Sequence, residues 1–225
     1  MQQDRLRSAP LFTALDDDAA LAMRASMVEM RLTKGDVLFT EGEIGDKLYL
    51  IESGKIKLGH TAQDGRESLI TVLGAGEMLG ELSLFDPGPR TATAVAVTKA
   101  KVLWMGHDAL LPWLVGRPDL AVALLASLAR RLRRTNEAMA DLVFSDVPGR
   151  VAKALLELGS KFGEETSIGL LVSHDLTQEE LAQLVGASRE TVNKALADFS
   201  QRGWIRIEQR QVTLIDVPRL EQRAR

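Results

Sequence analysis

Two short segments of the chain, Thr177-Gln178-Glu179-Glu180 and Ser188-Arg189-Glu190-Thr191-Val192-Asn193-Lys194, crowd together the groups that can read and grip a nucleic-acid duplex. An arginine or lysine donates to guanine O6 and N7, and a glutamate accepts from cytosine N4, each discrimination worth about 1–3 kcal/mol. Arg189, Glu190 and Lys194 are the candidates for base edges. Ser188, Thr177 and Gln178, with Thr191 beside them, suit the phosphate backbone, which hydroxyls, amides and helix N-termini hold. A helical hairpin with a merely solvated polar face would show the same residue types, so the surrounding elements have to decide.

Other chemistries lack their residues. There is no cysteine, which excludes disulfides, thiolate metal sites, cysteine-ligated clusters and cysteine nucleophiles. The histidines are His60, His107 and His174, and none has the clustered spacing of metal ligands. A cupin-type enzyme would want His and Glu together on neighbouring strands, whereas the strand-rich region holds His60 alone. Neither a Gly-x-Ser-x-Gly elbow nor a P-loop is present.

The elements that position the two segments are legible. Thr177 with Glu180 is a capping-box pair, so a helix starts there, carries Leu181, Ala182, Leu184 and Val185, and stops at Gly186. Ser188 caps a second helix with Val192, Leu196 and Phe199 on its buried face. Two short helices joined by a glycine turn make a helix-turn-helix, whose second helix presents its first turns to the major groove. Gly203-Trp204-Ile205-Arg206-Ile207 and Val212-Thr213-Leu214-Ile215 read as strands around a polar loop, 208–211. A hairpin there makes the module winged.

Upstream, Asp146 caps a helix from about Gly149 to Phe162 that buries Val151, Leu155, Leu156 and Leu158. Before it, Leu125, Leu128, Leu132, Thr135, Met139 and Leu142 alternate at intervals of three and four, the seam of a coiled coil that would pair two copies. Arg130, Arg131, Arg133 and Arg134 flank it. The polar Thr135, followed by Asn136, costs seam stability, so it either specifies register or bonds a ligand.

From Arg31 to Met105 short alternating strands are broken by glycine, with Lys55-Ile56-Lys57-Leu58-Gly59-His60 and Leu69-Ile70-Thr71-Val72-Leu73 around an Asp64-Gly65 hairpin signal. Such punctuation implies an antiparallel β-roll or jelly roll. Strand texture alone leaves open whether it binds a ligand or is a plain sandwich. Ahead of it, Leu21, Ala25 and Val28 recur at helical spacing behind Asp16-Asp17-Asp18.

The 225 residues, 45% hydrophobic and 26% charged with 4% aromatic, suit packed cores and more than one domain. The expected division is an α+β chain with a β-roll and short flanking helices over 1–117, a dimerisation helix over 118–145 and a winged helix-turn-helix over 146–225. Net charge is −3, and residues 146–225 hold 11 Lys+Arg against 12 Asp+Glu, so duplex contacts must come from local placement, not an overall basic field. Met1-Gln2-Gln3-Asp4-Arg5 precedes no apolar stretch of signal-peptide type, and no run approaches the roughly 18 apolar residues of a span. A cytoplasmic location without a membrane partner is the expectation.

Gly80-Glu81-Leu82-Ser83 followed by Pro89-Arg90-Thr91 resembles the phosphate-binding cassette of the Crp/Fnr transcription regulators, in their cyclic-AMP receptor protein branch. Gly186 through Val192 resembles that branch's recognition-helix signature, and the likeness covers nearly the whole chain. The resemblance implies that the β-roll is of cyclic-nucleotide-binding type and takes cyclic AMP as an allosteric ligand. It implies that Arg90 pairs with the cyclic phosphate, that Glu81 accepts from the ribose 2′-hydroxyl, and that Gly80, Leu82, Ser83 and Thr91 help form the cradle. A guanidinium fork, a close-approach glycine and a carboxylate suit those tasks, although Glu81 and Arg90 as a structural ion pair would use the same residues. Thr135 and Asn136 match positions that contact the base, and the chain departs from the usual serine at Asn136. A homodimer on a pseudo-palindromic operator, with half-sites about one helical turn apart, follows as an expectation, as does contact with RNA polymerase, for which the acidic segment 163–167 is a candidate.

Overall fold

Glycine-bounded apolar runs in the first half of the chain become strands, as a period of two requires. In the computed structural model, which describes residues 9–62, Gly65 and 67–224, they are β1 (Val28–Leu32), β2 (Val37–Phe39), β3 (Lys47–Ser53), β4 (Ile56–Thr61), β5 (Glu67–Leu73), β6 (Met78–Leu79), β7 (Thr93–Ala96) and β8 (Ala100–Gly106). Two four-stranded sheets, β1-β8-β3-β6 and β2-β7-β4-β5, make the β-roll. In β4 the alternation sends Ile56 and Leu58 inward, opposite the small Ala96 and Ala94 of β7. Of the expected Asp64-Gly65 turn, Asp64 lies outside the described residues, as do Met1 through Arg5, while Gly65 takes φ +84°.

β3 departs from simple alternation because five successive residues are buried. Its two faces serve two cores. Leu48 and Leu50 join Met23, Leu103, Met105, Leu110, Leu120 and Leu124 under the helices, whereas Tyr49 and Ile51 join Ile56, Leu58, Leu79 and Val102 between the sheets. A strand covered on both sides loses its polar face.

The helices of this half are α1 (Pro10–Thr13), α2 (Asp17–Ser26), the five-residue α3 (Glu81–Phe85), α4 (His107–Gly116) and α5 (Pro118–Phe144). Asp16 caps α2 by accepting from the Ala19 amide at 2.8 Å. The core-facing stripe of α2 corrects the expectation: Ala19 and Met23 are buried, with Met27 just beyond, while Leu21, Ala25 and Val28 are exposed. At about 100° per residue, Leu21 lies some 200° from Ala19, so the window held two apolar faces, of which packing covers the other one.

α5 buries only Leu120 and Leu124 against its own chain. Leu125, Leu132, Met139 and Leu142 are each more than half exposed, and Leu128 is partly covered. Two compact units divide inside α5. One takes the described residues to Thr61 with Thr71–Arg133, the other the described residues of 62–70 with those from Arg134 on. No single helix among the described residues is long and apolar enough to cross a membrane.

The second unit holds α6 (Val147–Phe162), β9 (Gly163–Thr166), β10 (Gly169–Ser173), α7 (Gln178–Val185), α8 (Arg189–Gln201), β11 (Ile205–Glu208), β12 (Gln211–Leu214) and α9 (Val217–Arg223). One core of Val151, Leu155, Leu158, Val172, Leu181, Val185, Val192, Leu196, Phe199, Ile205, Val212 and Leu214 binds them. Leu156 is only partly buried. Two expectations are corrected. The segment expected as an acidic surface loop at 163–167 is mostly strand β9, paired antiparallel with β10. The 208–211 loop shrinks to a two-residue turn, because Glu208 and Gln211 face each other in the ladder, and Arg210 takes φ +61°. The sheet order is β11-β12-β10-β9, a wing of four strands where the sequence indicates two.

Candidate ligand pocket and nucleic-acid interface

The glycine that ends β6 makes the pocket. Gly80 sits at φ +84°, and a Cβ there would meet the Arg90 Nη1 and the Lys47 carbonyl oxygen, both at 2.7 Å. Only glycine allows this left-handed turn with a guanidinium so close. α3 begins at once and carries Glu81 and Ser83, both buried, and Leu82, half exposed.

Arg90 enters from the other side. Its backbone N–H donates to the Glu43 carbonyl at 2.7 Å, and its carbonyl accepts from the Gly42 amide at 2.9 Å. Arg90 is 5% exposed. Nη1 donates to the Gly80 carbonyl and Nη2 to the Lys47 carbonyl, each at 2.9 Å. Its carbon lies 4.4 Å from the Phe39 ring centroid and 5.7 Å from that of Tyr49. Among the described residues no carboxylate pairs with it. The Glu43 carboxyl feels the Arg90 charge from further off, and a phosphate would pair directly with a buried cation otherwise held by neutral carbonyls and aromatic faces.

Glu81 does not pair with Arg90, so the structural ion pair is replaced by another arrangement. Glu81 Oε1 accepts from Arg131 of α5 at 2.5 Å, while Oε2 is buried with no hydrogen-bond partner among the described residues. An acceptor in that condition suits a hydroxyl donor. The residues fit a cyclic nucleotide: an unpaired guanidinium, a carboxylate oxygen in need of a donor, and backbone approached closely at Gly80. Gly45 adds to this, since a Cβ there would meet the Arg90 guanidinium at 2.6 Å. Thr91 is exposed beside Arg90, and Thr135 and Asn136 are exposed on α5, in the other unit.

Sequence reasoning missed Arg131, Phe39 and Gly45. Arg131 had a signal. Leu124, Ser127, Leu128 and Arg131 stand at i, i+3, i+4 and i+7, one helix face, and with Met78, Glu81 and Phe85 they line a cavity of about 40 Å³. Among four neighbouring arginines, the one continuing the face of Leu124 is the one that meets the β-roll.

The interface for nucleic acid is built by caps. Thr177 Oγ1 accepts from the Glu180 amide at 3.1 Å, and Glu180 Oε2 accepts from the Thr177 amide at 2.7 Å. Gly186 ends α7 at φ +69°, and Ser188 Oγ accepts from the Thr191 amide at 3.2 Å to start α8. Ser188, Arg189, Glu190, Thr191 and Lys194 are all exposed on the first turns of α8, with Thr177 and Gln178 exposed at the start of α7. Glu190 and Lys194 pair with each other at 2.7 Å. Thus every expected duplex-facing residue is exposed, and Gln178 of α7 is joined to Arg189 of α8 by a hydrogen bond. Arg150, unnoticed in the sequence, braces it from behind: its guanidinium donates to the carbonyls of Val185 at 3.0 Å, Gly186 at 3.2 Å and Ser145 at 2.7 Å.

Comparison with known proteins matches the two domains that hold these residues. Residues 29–114 match the family model for a cyclic nucleotide-binding domain, and 149–223 that for a Crp-like helix-turn-helix domain. A protein of Mycobacterium tuberculosis named CRP-like cAMP-activated global transcriptional regulator is 53% identical over 220 residues, 98% of each chain. The protein of Thermus thermophilus named cyclic AMP receptor protein is 37% identical over 90% of each. The crystal structure of the Thermus thermophilus catabolite activator protein superposes with a TM-score of 0.56 at 34% identity, covering 96% of this chain and 98% of that one. These relatives are transcription regulators and not enzymes, and the chain belongs to their family, Crp/Fnr.

Proposed function

We propose that the chain is a homodimeric, cyclic-AMP-responsive transcription regulator in which nucleotide binding in the β-roll controls sequence-specific DNA binding by the winged helix-turn-helix. The observation that carries the ligand half is the buried Arg90, paired with no carboxylate, beside the orphaned Oε2 of Glu81. One ligand answers both: a cyclic phosphate for the guanidinium and a ribose 2′-hydroxyl for the carboxylate. Relatives named for cyclic AMP support adenine as the base. Thr135 and Asn136 then offer it a hydroxyl and an amide, from one subunit each.

The exposure of Thr177, Gln178, Ser188, Arg189, Glu190, Thr191 and Lys194 at the starts of α7 and α8 supports the DNA-binding half. Dimerisation rests on the exposed seam of α5, which in water calls for an apolar cover. We place the regulator in the cytoplasm, with RNA polymerase as a partner and the exposed acids Glu164 and Glu165 on β9 as its candidate contact.

The test is a titration of the purified protein against duplexes it selects from a random pool, at fixed salt, with and without cyclic AMP. The expected result is a preferred pseudo-palindromic duplex bound more tightly when cyclic AMP is present, with calorimetry showing nucleotide binding. No heat and no change in DNA affinity would leave a constitutive DNA binder instead.

A further inference from the structure

Gln178 Oε1 accepts from two donors on the neighbouring helix: Arg189 Nη2 at 3.2 Å and Asn193 Nδ2 at 3.4 Å. Arg189 and Asn193 stand one turn apart on the same face of α8, and Gln178 is the first residue of α7. Arg189 and Gln178 are exposed; Asn193 is partly buried.

Asn193 is otherwise a poor choice for this position. Its Oδ1 is buried with no hydrogen-bond partner among the described residues, and a buried acceptor left unsatisfied is destabilising. A small apolar side chain would spare that cost. What the amide supplies is a donor aimed at Gln178. An amide's two ends differ in kind: with Oε1 engaged by α8, Nε2 is the end that remains to donate to a DNA phosphate.

We propose that Asn193 is a positioning residue for base reading. It fixes the orientation of the Gln178 amide, and that amide holds the Arg189 guanidinium in one direction, so the phosphate donor and the base-reading fork arrive in register. Arginine has many rotamers, and restricting them in advance lowers the entropy lost on binding. The gain goes to the sequence whose guanine meets the fork. This inference rests on the reading of α8 as the DNA-reading helix.

The test compares wild type, Asn193→Ala, Gln178→Ala and the double variant by fluorescence anisotropy at fixed salt, with saturating cyclic AMP. The duplexes are the wild type's own selected sequence, its single-pair half-site variants, and a random sequence. The readout is the ratio of affinities between selected and single-pair duplexes. Asn193→Ala should lower that ratio roughly three- to tenfold, a fraction of the range seen for one bidentate base contact, and its Tm should equal or exceed that of wild type because the orphan acceptor is gone. Gln178→Ala should lower the ratio similarly and also weaken binding to every duplex. The double variant should show no further fall in the ratio, the non-additivity of residues acting through one contact.

A discriminating wild type whose ratio is unchanged in Asn193→Ala, or whose losses add in the double variant, would overturn the inference and leave the DNA-binding proposal standing. A wild type that selects no sequence would overturn the DNA-binding proposal itself. If Asn193→Ala lowers Tm, the exposed Gln178→Ala decides alone, since an unchanged ratio there removes the relay.

Discussion

Arg90 carries two loads, and the second was invisible without the fold. As a phosphate partner it needs only its charge, but its guanidinium also ties the Gly80 and Lys47 carbonyls and stacks on Phe39. Arg90→Ala is therefore expected to weaken cyclic nucleotide binding by about 10- to 100-fold, on the scale of a charge-assisted hydrogen bond. It should also lower the Tm of the nucleotide-free protein, which a pure ligand contact would not do. Calorimetry and a thermal melt on the same sample separate the two effects. The Glu81–Arg131 pair makes a different prediction. Glu81 is buried and the Arg131 side chain is 38% exposed, so Arg131→Ala leaves a carboxylate without its counter-charge and should cost about 1–3 kcal/mol, discounted for solvent at the arginine. Adding Glu81→Gln should recover part of that in urea unfolding, because the orphaned charge is then gone. Additive losses would show that the two side chains do not act as a pair.

Helix ends set the next scale, and Asp146 shows how one cap joins two elements. Its Oδ1 accepts from the Gly149 amide at 2.9 Å to start α6, and Oδ2 accepts from Arg223 of α9 at 2.6 Å. The Arg223 hydrogen bond, then the Gly149 amide, hold the carboxyl below the usual aspartate range. A depressed folded-state pKa stabilises the protein above the unfolded pKa, near about 4, and the contribution is lost as pH falls through the lower folded value. Asp146→Ala should thus cost about 0.5–2 kcal/mol at neutral pH, the usual worth of such a cap. The gap between variant and wild type should narrow steadily below roughly pH 4. A pH-independent gap would mean that the ionised form of Asp146 contributes nothing. At this scale the sequence was highly legible: Thr177 with Glu180, Gly186, Ser188 and Asp146 all stand where their capping chemistry placed them, because caps are local. Val28 misled because it already belongs to β1, and Leu21 and Ala25 misled because which side of α2 faces the core depends on strands far along the chain. The extra wing strands β9 and β10 were missed for the same reason, since Gly163–Thr166 finds its partner in β10, which itself pairs with β12.

For the whole molecule, the exposed seam of α5 is the feature that the single chain leaves unfinished. Leu132 and Met139, each 62% exposed, sit where a second copy would cover them. Leu132→Glu should weaken the dimer by about 3 kcal/mol or more, counting one leucine from each copy at roughly 1.5–3 kcal/mol each. Light scattering across a dilution series would then show monomer at concentrations where wild type is dimeric. A wild type that is monomeric at high concentration would remove the dimer from the proposal.

Read alone, the residues determined the order of modules, the helix-turn-helix with its caps, and the face proposed to meet DNA, since those depend on periodicity and on bonds spanning three or four positions. Gly80, Glu81 and Arg90 were identified by resemblance. Only the tertiary structure decided how they are held: Arg131 lies 50 positions from Glu81, and Lys47 lies 43 from Arg90. Contacts at such separations leave no period in the sequence, because the chain between them can take any path that closes the loop. The same limit hid Asn193. Its place in the recognition helix was legible, but its bond to Gln178, fifteen residues earlier, exists only because Gly186 turns α8 back beside the start of α7.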